Sequence, residues 1–438
     1  MDFHKKLIKF CRIYKINLQK PLDKKFFICY YIKVSSRSFT AKILNMVGIS
    51  KRLASSLWFL SSSRSECMLL KEGEIRIPAG CAISGMISRD GNKLDGSSVV
   101  KSISYMHDRS NGLGGGFAGY GIYPEYKDLY AFHVFYDSNA SREQTERFLD
   151  RHFDVVNLSR IPTKKVPSIT NEPLIWRYFV NPLPTKIASS QLEEKEFVAQ
   201  CVIRINNDIE GAYVFSSGKN MGVFKAVGYP EDVGEFYRLE EYSGYAWTAH
   251  GRYPTNTPGW WGGAHPFSLL DYTIVHNGEI SSYDANRRFI EMFGYKCTLL
   301  TDTEVITYIF DYLNRKQKLS LEDIASIIAA PFWSEIDELE KSDPAKAAKL
   351  KYFRNAFSSL LITGPFSIIL GYTGGLMALN DRLKLRSMVV AEKGDMVYIA
   401  SEECAIRAIC PEVDSVRSPV GGEPVIINLS EEGKRKCL

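Results

Sequence analysis

The strongest constraint on the fold is the order in which two kinds of apolar pattern occur along the 438 residues. Period-two alternation marks strands at 81–87, 129–136, 246–249, 269–275, 366–372, 387–391 and 396–400. Apolar spacing of three to four residues marks helices at 231–240, 284–293, 302–315, 321–329 and 344–360. The strands and helices fall in blocks instead of alternating one by one, and such blocks form antiparallel sheets covered by helices. We therefore expect one α+β unit with stacked sheets. Alternation resumes after Phe197, runs through 212–215 to a Ser-Ser-Gly turn and on through 221–228, and reads as a hairpin. Upstream, Ser141-x-x-Gln144 reads as a capping box before a helix that buries Phe148, Leu149 and Phe153.

One strand opens with a cysteine. The stretch Gly80-Cys81-Ala82-Ile83-Ser84-Gly85-Met86-Ile87 sets Cys81 between two small residues, with no activating side chain beside it in sequence. A thiol near neutrality is only a few per cent thiolate, so a nucleophilic cysteine needs a base. Cleavage after Gly80 would supply one, the cysteine's own α-amino group. On residue type alone, a buried structural cysteine is the plainer alternative.

The charge distribution separates the start of the chain from its body. Residues 1–67 hold fourteen Lys/Arg against three Asp/Glu, and the remainder is mildly acidic, so the overall excess of +5 does not point to a nucleic-acid partner. Composition changes at Met68, which suggests that 1–67 is a basic leader or a mis-called start, 68–80 a propeptide, 81–425 the working domain and 426–438 a tail. The nine cysteines are scattered and form no Cys-x-x-Cys pair, which argues against a disulfide framework or a metal cluster and fits a reducing cytoplasm. No apolar run reaches the roughly 18 residues of a membrane span. Within the glycine-dense stretch 112–119, Gly114-x-Gly116-x-x-Gly119 matches a dinucleotide fingerprint formally, but the next element is the strand at 129–136, so no βαβ unit follows and a pocket-shaping glycine loop is the better reading.

Three further motifs bear on Cys81. His250-Gly251-Arg252-Tyr253-Pro254-Thr255 leaves a strand and enters a loop with Trp260-Trp261-Gly262-Gly263-Ala264-His265-Pro266-Phe267. His276-Asn277-Gly278-Glu279 ends the next strand, and Thr301-Asp302-Thr303-Glu304 opens a helix. Each has an ordinary reading alone: Asn-Gly is a common hairpin turn, Asp302 could serve a helix dipole, and Arg252 could be a loop charge. Taken in order with Cys81-Ala82-Ile83 and Asp381-Arg382-x-x-Leu385-Arg386, the set resembles the class II glutamine amidotransferases over about residues 81–410. Ala82 and Pro254 depart from the commonest residues of that family.

The resemblance implies a four-layer αββα N-terminal-nucleophile amidohydrolase sandwich. It implies that the Cys81 thiolate attacks the glutamine side-chain amide, with the Asn277 side chain and the Gly278 N–H receiving the oxyanion. Arg252 would pair with the substrate carboxylate and Asp302 with its ammonium, with Thr255 beside them in the binding loop. Trp260, Trp261 and His265 are candidates for closing over glutamine. The three histidines carry no acidic partner at ligand spacing, so no metal is expected and no cofactor in this chain. The segment 140–195 and the glycine-rich stretch look most like stand-alone amidotransferase subunits of split glutamate synthases. The expected partner is then a flavin-containing synthase chain, with iron–sulfur clusters also outside this chain. An N-methylglutamate synthase-like enzyme and a non-catalytic glutamine-binding module are the alternatives.

Overall fold

The computed structural model describes residues 80–254 and 259–438. The expected leader 1–67, all of the propeptide but Gly80, and Thr255 lie outside the described residues.

Two antiparallel sheets form the centre. The first has seven strands in the order Ser415–Arg417, Val389–Lys393, Met396–Ala400, Ala82–Ser88, Ala246–Gly251, Gly115–Tyr120 and Met221–Ala226. The second has five, Phe267–Leu269, Tyr272–Gly278, Phe366–Tyr372, Gly375–Asn380 and Val425–Asn428. Alternation along Phe366–Tyr372 shows how the layers arise. Ile369 joins the core shared with the first sheet, whereas Ile368 and Leu370 turn to the core beneath the helices. Each such side chain is fully buried and contributes about 2 kcal/mol of transfer free energy. The facing sheets are also tied by Tyr120, whose hydroxyl donates to the Asp271 carbonyl at 3.0 Å and lies 2.9 Å from Thr273 Oγ1.

Helices Gly96–Ser104 and Pro230–Phe236 cover the outer face of the first sheet. Asp302–Phe310 packs on the outer face of the second and meets helix Tyr283–Glu291. The expected αββα arrangement is therefore present. A third sheet, Phe153–Arg160, Leu174–Pro182, Tyr130–Tyr136 and Ala212–Ser216, is flanked by helices Asn139–His152 and Glu194–Asp208. Among the described residues, no helix is long and apolar enough to cross a membrane.

Several local expectations are corrected. The 212–216 and 221–226 strands are not a hairpin: the first pairs with Tyr130–Tyr136 in the third sheet, the second with Gly115–Tyr120 in the first. Both are almost wholly buried, so their own pattern could not reveal different neighbours. The stretch after Phe197 is helical, with Phe197, Val198, Cys201, Val202 and Ile205 buried at helical spacing. The capping box sits three residues earlier than expected, with Ser138 at the N-cap and Ser141 at the third helical position. Phe153 begins a strand instead of ending the helix.

Most of the glycine run is an interior strand, Gly115–Tyr120, buried throughout; Gly112 and Gly114 precede it in a loop, where the Gly114 carbonyl accepts from Arg252 N–H at 2.8 Å. A Cβ on Gly116 would lie 2.1 Å from the His265 carbonyl oxygen, so its bareness lets that backbone lie on the sheet. The expected 426–438 tail is part of the fold. Val425–Asn428 pairs with Gly375–Asn380, Ser430 N–H donates to the Arg89 carbonyl at 2.7 Å, and Cys437 in the helix Glu431–Cys437 is buried.

Candidate active site

A cavity of about 250 Å³ opens where strand ends of both sheets meet the start of the Asp302–Phe310 helix. Cys81, Arg252, Gly278 and Asp302 line it, together with Tyr253, His265 and His276. Strand register accounts for the first pair. Ala82 lies opposite Gly251 in antiparallel strands, which brings the residues just beyond them, Cys81 and Arg252, to the same sheet edge.

The Tyr253 N–H donates to Cys81 Sγ at 3.3 Å. Burial pushes the thiol pKa up; the Tyr253 N–H and Arg252 favour the thiolate, and Asp302 opposes it. The Cys81 carbonyl accepts from Arg109 Nε at 3.1 Å, and Arg109 Nη1 is paired with Glu402 at 2.7 Å. Burial pulls the Arg252 pKa below its ordinary value, with Cys81 and Asp302 working against that shift.

Gly278 ends the Tyr272–Gly278 strand at φ +153°, and a Cβ there would sit 2.0 Å from the Pro365 carbonyl oxygen. No other residue fits this position without moving backbone. Asn277, one residue earlier, is fully buried but is not among the cavity-lining residues. Its Nδ2 donates to Ser401 Oγ at 3.3 Å, and the same Ser401 oxygen accepts from Ile83 N–H at 3.1 Å. Alternation explains the difference, since His276 and Gly278 share one face of the strand and Asn277 takes the other.

Asp302 is the first residue of its helix, and Thr301 caps it by accepting from Thr303 N–H at 3.3 Å. Its Oδ2 accepts from Ile280 N–H at 3.1 Å, and its Oδ1 accepts from the Thr303 hydroxyl at 3.2 Å and lies 3.5 Å from His276 Nδ1. Burial alone would raise this carboxyl, but His276 and these donors outweigh it and hold it below the usual aspartate range. Thr303 Oγ1 also lies 3.2 Å from both His276 Nδ1 and His265 Nε2. With its proton on Asp302, it accepts from both rings. His250 stacks on His265 with ring centroids 4.0 Å apart and donates through Nε2 to the His276 carbonyl at 2.8 Å. Burial holds His250 down to about 3 and His265 well below its ordinary value, so both are neutral. The arrangement presents a thiol, a cation and an anion around a small polar space, with neutral imidazoles behind.

Four of the six expected site residues thus meet at one cavity, Asn277 lies beside it on Ser401, and Thr255 is outside the described residues. Of the expected covering residues, His265 lines the cavity, while Trp261 is core, packed on Phe135 and Phe236 with its indole N–H on the Thr170 carbonyl at 3.2 Å. Trp260 is half-exposed and lies over Gly262 and Gly263. Sequence reasoning missed Arg109, Tyr253, Ser401 and the hub role of Thr303. Tyr253 and Thr303 stood inside motifs already singled out, but Arg109 and Ser401 reach the site only through tertiary contacts.

The sequence profile described as "Glutamine amidotransferases class-II" matches residues 130–305, a span that includes Arg252, Gly278 and Asp302 but not Cys81. An uncharacterised protein of Archaeoglobus fulgidus is 49% identical over 360 residues, covering 81% of this chain and 93% of that protein. A Methanothermobacter thermautotrophicus protein named as a glutamine amidotransferase is 26% identical, covering 75% of this chain and 93% of its own length. The amidophosphoribosyltransferase of Methanocaldococcus jannaschii is 26% identical over 46% of this chain, a match that spans 38% of that enzyme. The chain therefore carries a class II glutamine amidotransferase domain, matched at residues 130–305.

Proposed function

We propose that the cavity binds free L-glutamine and that Cys81 attacks its side-chain amide, giving a γ-glutamyl thioester and ammonia; water then releases glutamate. The meeting of Cys81, Arg252, Gly278 and Asp302 around one space of about 250 Å³ carries this reading. Arg252 takes the α-carboxylate, Asp302 the α-ammonium, and the Gly278 N–H receives the developing oxyanion. Asn277 supplies a second donor once its amide turns from Ser401. The base is the α-amine of Cys81 after cleavage of the Gly80–Cys81 bond. Intact-mass measurement of the purified chain tests the base: a species starting at Cys81 should account for the ammonia release. Full activity in a chain that retains Gly80 would overturn it.

The ammonia is consumed by a separate flavin-containing glutamate synthase chain, with iron–sulfur clusters also held outside this chain. What supports this is the resemblance of segment 140–195 to stand-alone amidotransferase subunits. Purification from the native source, with glutamine turnover assayed with and without the accompanying chains and 2-oxoglutarate, tests it. Maximal turnover by the chain alone would remove the synthase reading.

A further inference from the structure

Lys225 stands apart from every other residue near the cavity. It is fully buried on the Met221–Ala226 strand, and its Nζ donates to two main-chain carbonyls, Gly262 at 2.9 Å and Ala264 at 3.0 Å. The ammonium also lies 4.5 Å from the centre of the Phe267 ring and 5.1 Å from that of Tyr213. Burial pushes it well below the ordinary lysine value, Arg252 adds to that shift, and Glu304 opposes it. Enclosing an ammonium costs several kcal/mol even after relaxation, and a methionine of similar length would fill the same space without that cost. Packing therefore does not explain a lysine here.

What the ammonium holds is informative. Gly262 and Ala264 immediately precede His265, which lines the cavity and is hydrogen-bonded to Thr303. Between them, the Cβ that Gly263 lacks would lie 3.3 Å from Arg252 Nη1. The segment pinned by Lys225 is thus the wall behind Arg252. Resting on the glutamine reading of the cavity, we propose that Lys225 is a positioning residue for substrate binding: it fixes the 262–264 backbone so that Arg252 and His265 stand ready for the amino acid. One donor group held between two main-chain carbonyls gives this segment a single geometry before substrate arrives.

The test compares Lys225→Met with Val223→Ala, a cavity-forming change on the same strand, by ammonia release and thermal melting. Lys225→Met is expected to raise KM for glutamine at least tenfold with kcat within threefold, while Val223→Ala lowers Tm and leaves KM unchanged. Lys225→Gln, which restores a neutral donor, should recover part of the KM loss, and it carries the comparison if the Met variant does not fold. A wild-type KM in both Lys225 variants, or an equal rise in Val223→Ala, overturns the proposal. Acrylamide quenching of Trp260 emission, taken as the difference from Trp260→Phe, reads the segment without turnover. Greater quenching in a Lys225 variant supports the proposal even if the chain hydrolyses no glutamine, and unchanged quenching counts against it.

Discussion

Replacing Asp302 by Asn removes one charge from the cavity while keeping the shape of the side chain. On the proposed reading that charge faces the α-ammonium of glutamine. Two unit charges about 4 Å apart attract by roughly 4 kcal/mol at an effective dielectric near 20, before desolvation is subtracted. Hydrogen bonds to charged groups retain about 1.5–3 kcal/mol net, so about 2 kcal/mol is the expected loss, or a roughly 30-fold change in affinity. The carboxylate is well prepared for this role: Ile280 N–H and Thr303 Oγ1 fix it at 3.1 and 3.2 Å, and it stays ionised below the usual range. The assay is kcat/KM for ammonia release from glutamine and from glutaramate, which has the same amide and carboxylate but no amine. Wild type should favour glutamine by roughly 30-fold, and Asp302→Asn should treat the two about equally. Activity of the variant on glutaramate should stay close to wild type, which separates lost charge from a disordered cavity. If both proteins keep the same preference for glutamine, Asp302 does not hold the ammonium.

Gly278→Ala should lower kcat by about 100- to 1000-fold, because the added methyl meets the Pro365 carbonyl oxygen at 2.0 Å and must turn the Gly278 N–H away from the oxyanion; steady-state kinetics with Tm as the folding control checks it. Burial lifts Glu304 from 4.5 to about 7, so the unfolded chain ionises first as pH rises. The stability present below about pH 4.5 is therefore lost progressively up to about 7 and then levels off. Melting curves across that window should fall more steeply for wild type than for Glu304→Gln, and parallel curves would show that Glu304 is not the responsible group.

Motif order made most of the site legible, because Arg252, Gly278 and Asp302 each stand where a strand or helix ends, and such ends converge when sheets stack. Strand limits were readable from the apolar runs of Phe366–Tyr372 and Met396–Ala400, which begin and end in the structure where the sequence places them. Strand pairing, and strands with little burial, were not readable in the same way. Met221–Ala226 is buried on both faces and hid its true partner, while Phe153–Arg160 exposes most of its residues, Val156 and Leu158 among them, and left no regular alternation. Lys225 was unreadable for a different reason. A lysine in an apolar strand suggests an outward charge, and only the fold shows that the 262–264 carbonyls come down to meet it.

The same geometry bears on how Cys81 could be activated. Burial raises its thiol, and its polar contacts are to the Tyr253 main chain, with N at 3.3 Å and O at 3.9 Å. Among the described residues no imidazole is hydrogen-bonded to the Cys81 thiol: His265 and His276 direct ring protons to Thr303 and His250 gives its own to the His276 carbonyl. A cavity so arranged offers charges to a bound amino acid, while the Cys81 thiol donates only to the Tyr253 carbonyl as long as Gly80 is attached. An α-amine has an ordinary pKa of about 7.7–8.0, near the value at which a base works best at neutral pH. Cleavage at Gly80 would create that group one bond from the Cys81 Cα, where Gly80 N–H now donates to the Arg109 carbonyl at 3.2 Å and Arg109 Nε grips the Cys81 carbonyl. On the proposed reading, then, substrate recognition is already built into the folded chain, and reactivity waits on a single peptide bond.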